Sequence, residues 1–353
     1  MGGKMSQLQI NGVTIGKNTE PYLIAEISAN HNGSIEKAKE CITAAARAGA
    51  SAVKIQTYTA DTMTIDSQTD DFLIKKGLWK GKTLYELYGE ACTPFEWHPE
   101  LFQHASDEKI TLFSSPFDET AVDLLESLNT PAYKVASFEL IDLPLIRYIA
   151  STGKPILMST GMASREEIRR AVDTAKQNGS ERVGLFHCIS GYPTPLEEAN
   201  LMSIQGLSRE FDLPVGLSDH TIGNTAAIVA TGLGATFFEK HFTLDRNDPG
   251  PDSAFSIEPE ELTALKRDLD DAHLSVGAEL VDRTRSESEN LIFRRSLYFV
   301  EDLGRGETIT RKHVARIRPG FGLEPRYYDS ILGKKAKKDI GRGQRVSWDC
   351  IEE

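Results

Sequence analysis

Two lysines stand inside apolar runs, Lys54 between Val53 and Ile55 and Lys134 between Tyr133 and Val135. An ammonium group is seldom buried without a partner. Either the pair neutralises carboxylates such as Glu26 or Glu139, or it clamps the phosphate or carboxylate of a substrate, with hydroxyls of Ser137, Ser159 and Ser218 completing the anion site. Two histidines add a second kind of chemistry: His220 in Ser-Asp-His-Thr and His241 in Glu-Lys-His-Phe each follow a β-type run. Imidazoles on neighbouring strands reach one divalent ion, which water and substrate oxygens complete. Mn²⁺ suits that donor set first, with Mg²⁺ or Co²⁺ as alternatives. The competing reading makes both histidines hydrogen-bonded core or loop residues. His31, in Asn30-His31-Asn32-Gly33, either meets substrate or shapes its turn, and His98, His104, His273 and His313 are assigned nothing.

Such groups need a scaffold that brings distant segments to one place. Eight short apolar runs, beginning at Tyr22, Ala52, Ile110, Ala132, Pro155, Val183, Pro214 and Ala235, alternate with longer helical or loop segments. The helical ones include Ile35 to Arg47, a segment opened by the capping-box spacing Ser164-Arg165-Glu166-Glu167, and Pro259 to Leu274. Alternation of this kind implies a parallel sheet, and eight units in roughly 250 residues fit a (β/α)₈ TIM barrel. A doubly wound open sheet is the rival, but no Gly-x-Gly-x-x-Gly follows the first run. In a barrel the chemistry sits at the C-terminal strand ends. Nearly every run ends there on polar residues: Glu26, Lys54 with Gln56, Ser114 with Ser115, Lys134 with Ser137 and Glu139, and Ser159 with Thr160. Ser190 with Tyr192, Ser218 with Asp219 and His220, and Glu239 with Lys240 and His241 complete the set. The recurrence describes a polar pocket at one end of the barrel.

Composition changes near Arg295, where Gly, Arg and Lys accumulate around short β-type runs at Ser296–Val300, Thr308–Thr310 and Val346–Trp348. The expected organisation is a barrel over residues 1–281, a polar linker over 282–294 and a small domain over 295–353. The chain carries 353 residues, a formal net charge of -12 and no basic block long enough to track a phosphate backbone, which argues against nucleic acid. No apolar run approaches the roughly 20 residues that span a bilayer. Four scattered cysteines without a Cys-x-x-Cys pair read as reduced thiols of a cytoplasmic protein. Met1-Gly2-Gly3-Lys4-Met5-Ser6 formally fits a myristoylation pattern but reads as a plain disordered start.

The runs Ala25–Gly33, Lys54-Ile55-Gln56, Phe113–Asp118, Tyr133–Ser137 and Met158–Met162 together resemble the sialic acid synthase family. So do Tyr192-Pro193, Leu217–Thr221, Glu239–Phe242 and Gly250–Ser253. Gln56–Met63, Leu78–Gly81 and Thr93–His98 look most like its pseudaminic acid branch. The resemblance implies a barrel followed by an antifreeze-like (SAF) domain. It also implies a metal-dependent condensation of phosphoenolpyruvate with an amino-sugar aldehyde, 2,4-diacetamido-2,4,6-trideoxy-L-altrose, releasing phosphate. The expected partner is a second copy in a domain-exchanged homodimer, with Arg318 of one chain reaching the other chain's sugar. On that basis Lys54, Lys134, Ser137, Ser159, Ser190, Tyr192 and Ser218 hold phosphoenolpyruvate, and His220 and His241 hold the metal. Gln56 joins Arg318 at the sugar. Glu139 or a neighbouring carboxylate steadies positive charge, Glu26 activates water or binds a sugar hydroxyl, and Asp252 carries a proton.

Two departures qualify the match. Ser190-Gly191 stands where sialic acid synthases often carry Asn, and the run Pro249-Gly250-Pro251-Asp252 is closer to the sialic or legionaminic types. Those sugars, N-acetylmannosamine and its 2,4-diacetamido-6-deoxy analogue, are the alternatives within the same reaction. An aldose-phosphate synthase would need a second phosphate clamp, which the sequence does not offer. A non-catalytic carbohydrate- or ice-binding protein conflicts with the cationic tail around Arg316, Arg318 and Arg326.

Overall fold

The computed structural model describes residues 8–76, 79–277 and 282–352, so the start at Met1–Ser6 and Leu78 of the branch-like run lie outside the described residues. The chain divides into two compact units at residues 277/278. The first opens with an antiparallel hairpin of β1 (Leu8–Ile10) and β2 (Val13–Ile15). Eight parallel strands then close into a barrel: β3 (Tyr22–Glu26), β4 (Ala52–Thr57), β5 (Thr111–Pro116), β6 (Tyr133–Val135), β7 (Ile156–Ser159), β8 (Val183–Cys188), β9 (Val215–Asp219) and β10 (Phe237–His241). β10 pairs back onto β3 with His241 opposite Glu26, which closes the ring. All eight expected runs fall on these strands, and the (β/α)₈ architecture is the one the alternation implies.

The helices of this unit are α1 (Ile35–Arg47), α2 (Ala60–Met63), α3 (Leu84–Ala91), α4 (His98–Asp107), α5 (Glu119–Ser127), α6 (Leu143–Ser151), α7 (Arg165–Gln177), α8 (Ser203–Phe211), α9 (Thr225–Gly232) and α10 (Pro259–Val276). Their starts are written in the sequence. Ser34 accepts from the Lys37 amide, Asp118 from those of Thr120 and Ala121, and Ser164 forms the expected capping box with Glu167. Each strand sends alternate residues inward. On β4, Ala52, Lys54 and Gln56 share one face, while Val53 and Ile55 pack outward among Ala38, Ile42 and Leu101.

The hairpin has no counterpart among the expected strands. Leu8, Ile10 and Ile15 are fully buried in one cluster with Tyr22, Ala52, Ala132 and Phe237, which lie at the N-terminal ends of the barrel strands. It therefore plugs the end opposite the polar one. No helix among the described residues is long and apolar enough to cross a membrane.

The second unit contains an antiparallel pair, β11 (Ser296–Phe299) and β12 (Val314–Ile317). Here the sequence reading needs correcting. Thr308–Thr310 supplies only the single bridge Thr308↔Lys335, Val346–Trp348 forms no strand, and Val314–Ile317, not expected, does. Gly306, Gly333 and Gly343 take left-handed φ values of 82°, 83° and 87°, and these tight reversals keep most pairings to one residue. Leu297, Phe299, Ile309, Ile331, Ile340 and Val346 make its core.

Candidate active site

Because inward residues alternate along every strand, the last two inward positions of neighbouring strands converge at the C-terminal mouth of the barrel. They line a cavity of about 460 Å³. Lys54 lies 3.1 Å from Glu26 Oε2 and 3.2 Å from Glu239 Oε2, and it donates to Ser115 Oγ at 3.4 Å. Lys134 lies 3.6 Å from Glu239 Oε1 and 5.0 Å from the centre of the Phe186 ring, and it makes no hydrogen bond among the described residues. Ser218 Oγ donates to Glu239 Oε1 at 2.9 Å. Glu239 is thus the hub of the cluster, and the sequence reading gave it no role beyond its place at a strand end. The available signal was parity: Glu239 is two residues before His241 and shares its face. Lys54 does pair with Glu26, as the bland reading held, but Lys134 pairs with Glu239 instead, and Glu139 forms no ion pair with either lysine.

The charges follow from burial against pairing. Burial opposes ionisation of Glu239, yet Lys134 and Lys54 outweigh it and hold the carboxyl well below its ordinary range. Burial likewise opposes the charge on Lys54, but Glu239 and Glu26 raise its pKa. On Lys134 burial wins and the pKa falls. Burial raises Glu26 and pushes Glu139 up to about 7.

Around this cluster Ser159 Oγ, Ser190 Oγ and Glu139 Oε2 are buried without a hydrogen-bond partner among the described residues. Ser137 Oγ reaches only the Cys188 sulfur, at 3.6 Å. Gly161 leaves the room these hydroxyls need: a Cβ there would strike Ser190 Oγ and lie 2.8 Å from Ser137 Oγ. Gly161→Ala is therefore expected to raise the KM for the anionic substrate on the order of 10–100-fold, since an ångström of misplacement costs that much, with the melting temperature little changed. An unchanged KM in steady-state assays would remove the serines from the anion site.

On the opposite wall the rings of His220 and His241 have centroids 5.4 Å apart, and Tyr192 stacks on His220 at 4.3 Å. His220 Nδ1 donates to the Ile189 carbonyl at 2.9 Å; burial opposes its charge, but the Cys188 sulfur and that carbonyl raise its pKa, so Nε2 is a lone-pair donor only in the neutral ring. His241 Nδ1 is buried and unpartnered among the described residues. Burial, then the neighbouring His220 and Lys54, hold His241 neutral, the form that binds metals. The pair fits a divalent ion. Among the described residues no group of three or more His, Cys, Asp or Glu side chains is placed to hold one, so water and substrate oxygens must supply the rest. Asp252 lies 4.0 Å from His241 Nδ1 and accepts from Ser28, to which Gln56 also donates; Gln56 donates to Glu26 Oε1 at 2.9 Å as well.

Other polar strand ends serve the scaffold. Asp219 and Lys240 point outward and pair at 2.7 Å, and Thr160 Oγ1 donates to the Phe186 carbonyl. Ser114 Oγ donates to the Ile55 carbonyl. His31 shapes its turn by accepting from the Gly33 amide, and His98 is buried beside Thr57. Arg318 lies in the second unit, exposed, just after β12, and has no acidic partner among the described residues. A larger hollow, about 640 Å³, lies on the flank near α1 and α10, but Glu36, Lys39, Glu40 and Arg47 alternate in sign there and, among the described residues, no buried polar atom without a hydrogen-bond partner lines it.

Residues 41–280 match the NeuB family and residues 294–352 the SAF domain. The chain belongs to the NeuB family. It is 44% identical over 325 residues to a pseudaminic acid synthase of Campylobacter jejuni, spanning 92% of this chain and 95% of that protein. A pseudaminic acid synthase of Helicobacter pylori is 42% identical over 333 residues, 94% of this chain and 98% of that one. Among solved structures, a sialic acid synthetase from Leptospira borgpetersenii in complex with citrate superposes with a TM-score of 0.73 at 29% identity, covering 81% of this chain and 95% of that chain. In this NeuB-family barrel Glu139, Ser159, Ser190 and His241 bring buried, unpartnered polar atoms to the C-terminal mouth.

Proposed function

We propose that the chain condenses phosphoenolpyruvate with the open-chain aldehyde of 2,4-diacetamido-2,4,6-trideoxy-L-altrose and water, giving pseudaminate and phosphate. The observation that carries the reading is Lys134, a buried ammonium with unfilled donors beside the partnerless hydroxyls of Ser159 and Ser190. Such a site is built for an oxyanion that arrives with its own acceptors. Similarity to the two pseudaminic acid synthases supports the choice of sugar.

In this reading Lys54, Lys134 and the hydroxyls of Ser137, Ser159, Ser190 and Ser218 hold the phosphate and carboxylate, with Tyr192 packed over them. His220 and His241 would hold a divalent ion, Mn²⁺ by the donor set, which when bound would supply Lewis acidity to the reaction. Carbon 3 of phosphoenolpyruvate bonds to the aldehyde carbon, and Asp252 delivers the proton the new hydroxyl requires. Glu139 steadies the positive character left at carbon 2. Water adds there, losing one proton to Glu26, and the carbon–oxygen bond to phosphate breaks as the remaining hydroxyl proton passes to the departing phosphate and the keto group forms. The reaction belongs to the cytoplasm, where phosphoenolpyruvate is available.

The test is phosphate release from phosphoenolpyruvate with Mn²⁺ and three sugars: the altrose, its manno analogue and N-acetylmannosamine. Turnover with the altrose alone supports the reading. Preference for either manno sugar moves the protein to the sialic or legionaminic branch, and no release from folded, metal-loaded protein overturns the condensation itself.

Burial that holds Glu139 protonated below about 7 has a sign that can be measured. Its carboxylate forms as pH rises, so kcat/KM, which reports the free enzyme, should climb through a midpoint near 7. Glu139→Gln should flatten that limb; a limb retained in the variant would assign it to another group.

The second copy is proposed to lend Arg318 to the sugar. Phe138, Ile141, Met162, Leu196 and Ile222, all following strand C-termini, leave 52–66% of their surface exposed around the mouth, a rim that asks for a cover. Lys54→Met and Arg318→Ala chains should each fail alone. Mixed, they should recover on the order of a quarter of wild-type activity, because half the dimers then hold one complete site. No recovery from a verified mixed dimer would rule out the exchange.

A further inference from the structure

The cavity carries apolar side chains beside its polar ones. Between the end of β4 and the start of α4 the chain makes an excursion through α2 and α3, and this insertion sits at the catalytic mouth. It delivers Met63, Trp79, Leu87, Tyr88 and Ala91 to the cavity. Leu87 and Ala91 are one helical turn apart on α3, so they present one continuous hydrocarbon surface to the cavity. Condensation at an aldehyde and a phosphate ester does not need such a wall. One further atom there is unsatisfied: the Trp79 indole Nε1 is buried with no hydrogen-bond partner among the described residues.

Resting on the proposed reaction, we infer that this wall selects a sugar whose terminal carbon is deoxygenated and whose nitrogen is acylated. A methyl at the sugar terminus gains by leaving water against Met63, Leu87 and Ala91. A hydroxyl in the same place loses its water and finds no acceptor on those three side chains. The Trp79 N–H, with a small rotation of the ring, offers a donor to the carbonyl of an acetamido group, for which water offers no competitor at that buried position. Discrimination between sugars is thus assigned to the insertion, separately from the lysines and histidines that carry the chemistry.

The experiment compares kcat/KM for the 6-deoxy altrose sugar and its 6-hydroxy counterpart, with phosphoenolpyruvate KM measured in parallel. Wild-type protein should favour the deoxy sugar on the order of 100-fold, the scale on which an apolar pocket rejects an added hydroxyl. Met63→Gln and Ala91→Ser, at half-buried positions where a polar side chain is tolerated, should narrow the ratio to roughly tenfold by improving use of the hydroxy sugar, leaving phosphoenolpyruvate KM unchanged. Trp79→Phe should raise KM for the diacetamido sugar roughly tenfold while sparing the analogue with a free amine. Equal use of both sugars by wild-type protein, or variants that slow both equally, would overturn the inference and leave the condensation standing. Absence of phosphate release with either sugar would overturn both.

Discussion

Lys54→Met is expected to cut turnover steeply and to weaken the fold at the same time. The ammonium sits within 3.2 Å of two buried carboxylates, Glu26 and Glu239, and its side chain is only 4% exposed. Removing it leaves both carboxylates facing each other without a cation between them. Breaking a buried pair in this way costs about 3–5 kcal/mol, and the adjoining cavity, which admits water, argues for the lower end. Methionine matches the length of the stem, so packing is not the cause. Turnover should fall on the order of 1,000-fold in kcat/KM for phosphoenolpyruvate, as for loss of one charged donor to a reacting anion. The double variant Lys54→Met/Glu239→Gln separates the two effects. Neutralising Glu239 should return most of the melting temperature, while phosphate release stays lost. If the double variant regains activity, Lys54 is structural and the anion site must be sought elsewhere.

The barrel was readable because its strands are apolar runs with polar ends, and because capping residues such as Ser164 mark the helix starts. Parity along the strands carried more than was taken from it. Phe237, Glu239 and His241 share one face of β10, and Phe238 and Lys240 the other. The rule that put His241 in the site therefore also put Glu239 there. It likewise paired Lys240 with Asp219 outside, so two of the conspicuous polar strand ends belong to the scaffold. The hairpin plug was not legible, since Leu8, Ile10, Val13 and Ile15 form runs of three residues, too short for a periodicity to emerge. The hydrocarbon wall was missed for another reason. Met63 and Trp79 stand out in the sequence only within the branch-like runs Gln56–Met63 and Leu78–Gly81, Leu87 and Ala91 carry no mark at all, and only the closed barrel shows that part of their surface is turned on a cavity.

Chelation is expected to stop phosphate release, and Mn²⁺ to restore it, but the sharper result concerns His241. Its Nδ1 has no hydrogen-bond partner among the described residues, so His241→Ala orphans no group when it removes the ring. The packing of that ring against Phe255 at 5.1 Å and Tyr192 at 6.1 Å is edge-on and worth about 1 kcal/mol or less. The metal-free variant should therefore melt close to wild type. His220→Ala should melt lower, because the Ile189 carbonyl loses its donor. Calorimetry should find one ion per chain in wild-type protein. Saturating it to 100 times its dissociation constant stabilises by about 2.7 kcal/mol, a shift that His241→Ala should lack. Two histidines with no third protein ligand among the described residues also make a weak site, so the ion should bind more tightly once substrate oxygens are present. A His241→Ala protein that binds Mn²⁺ as wild type does, or a wild-type protein that turns over after exhaustive chelation, would take the ion away from this pair and leave the buried neutral imidazole to act as an acceptor for the sugar.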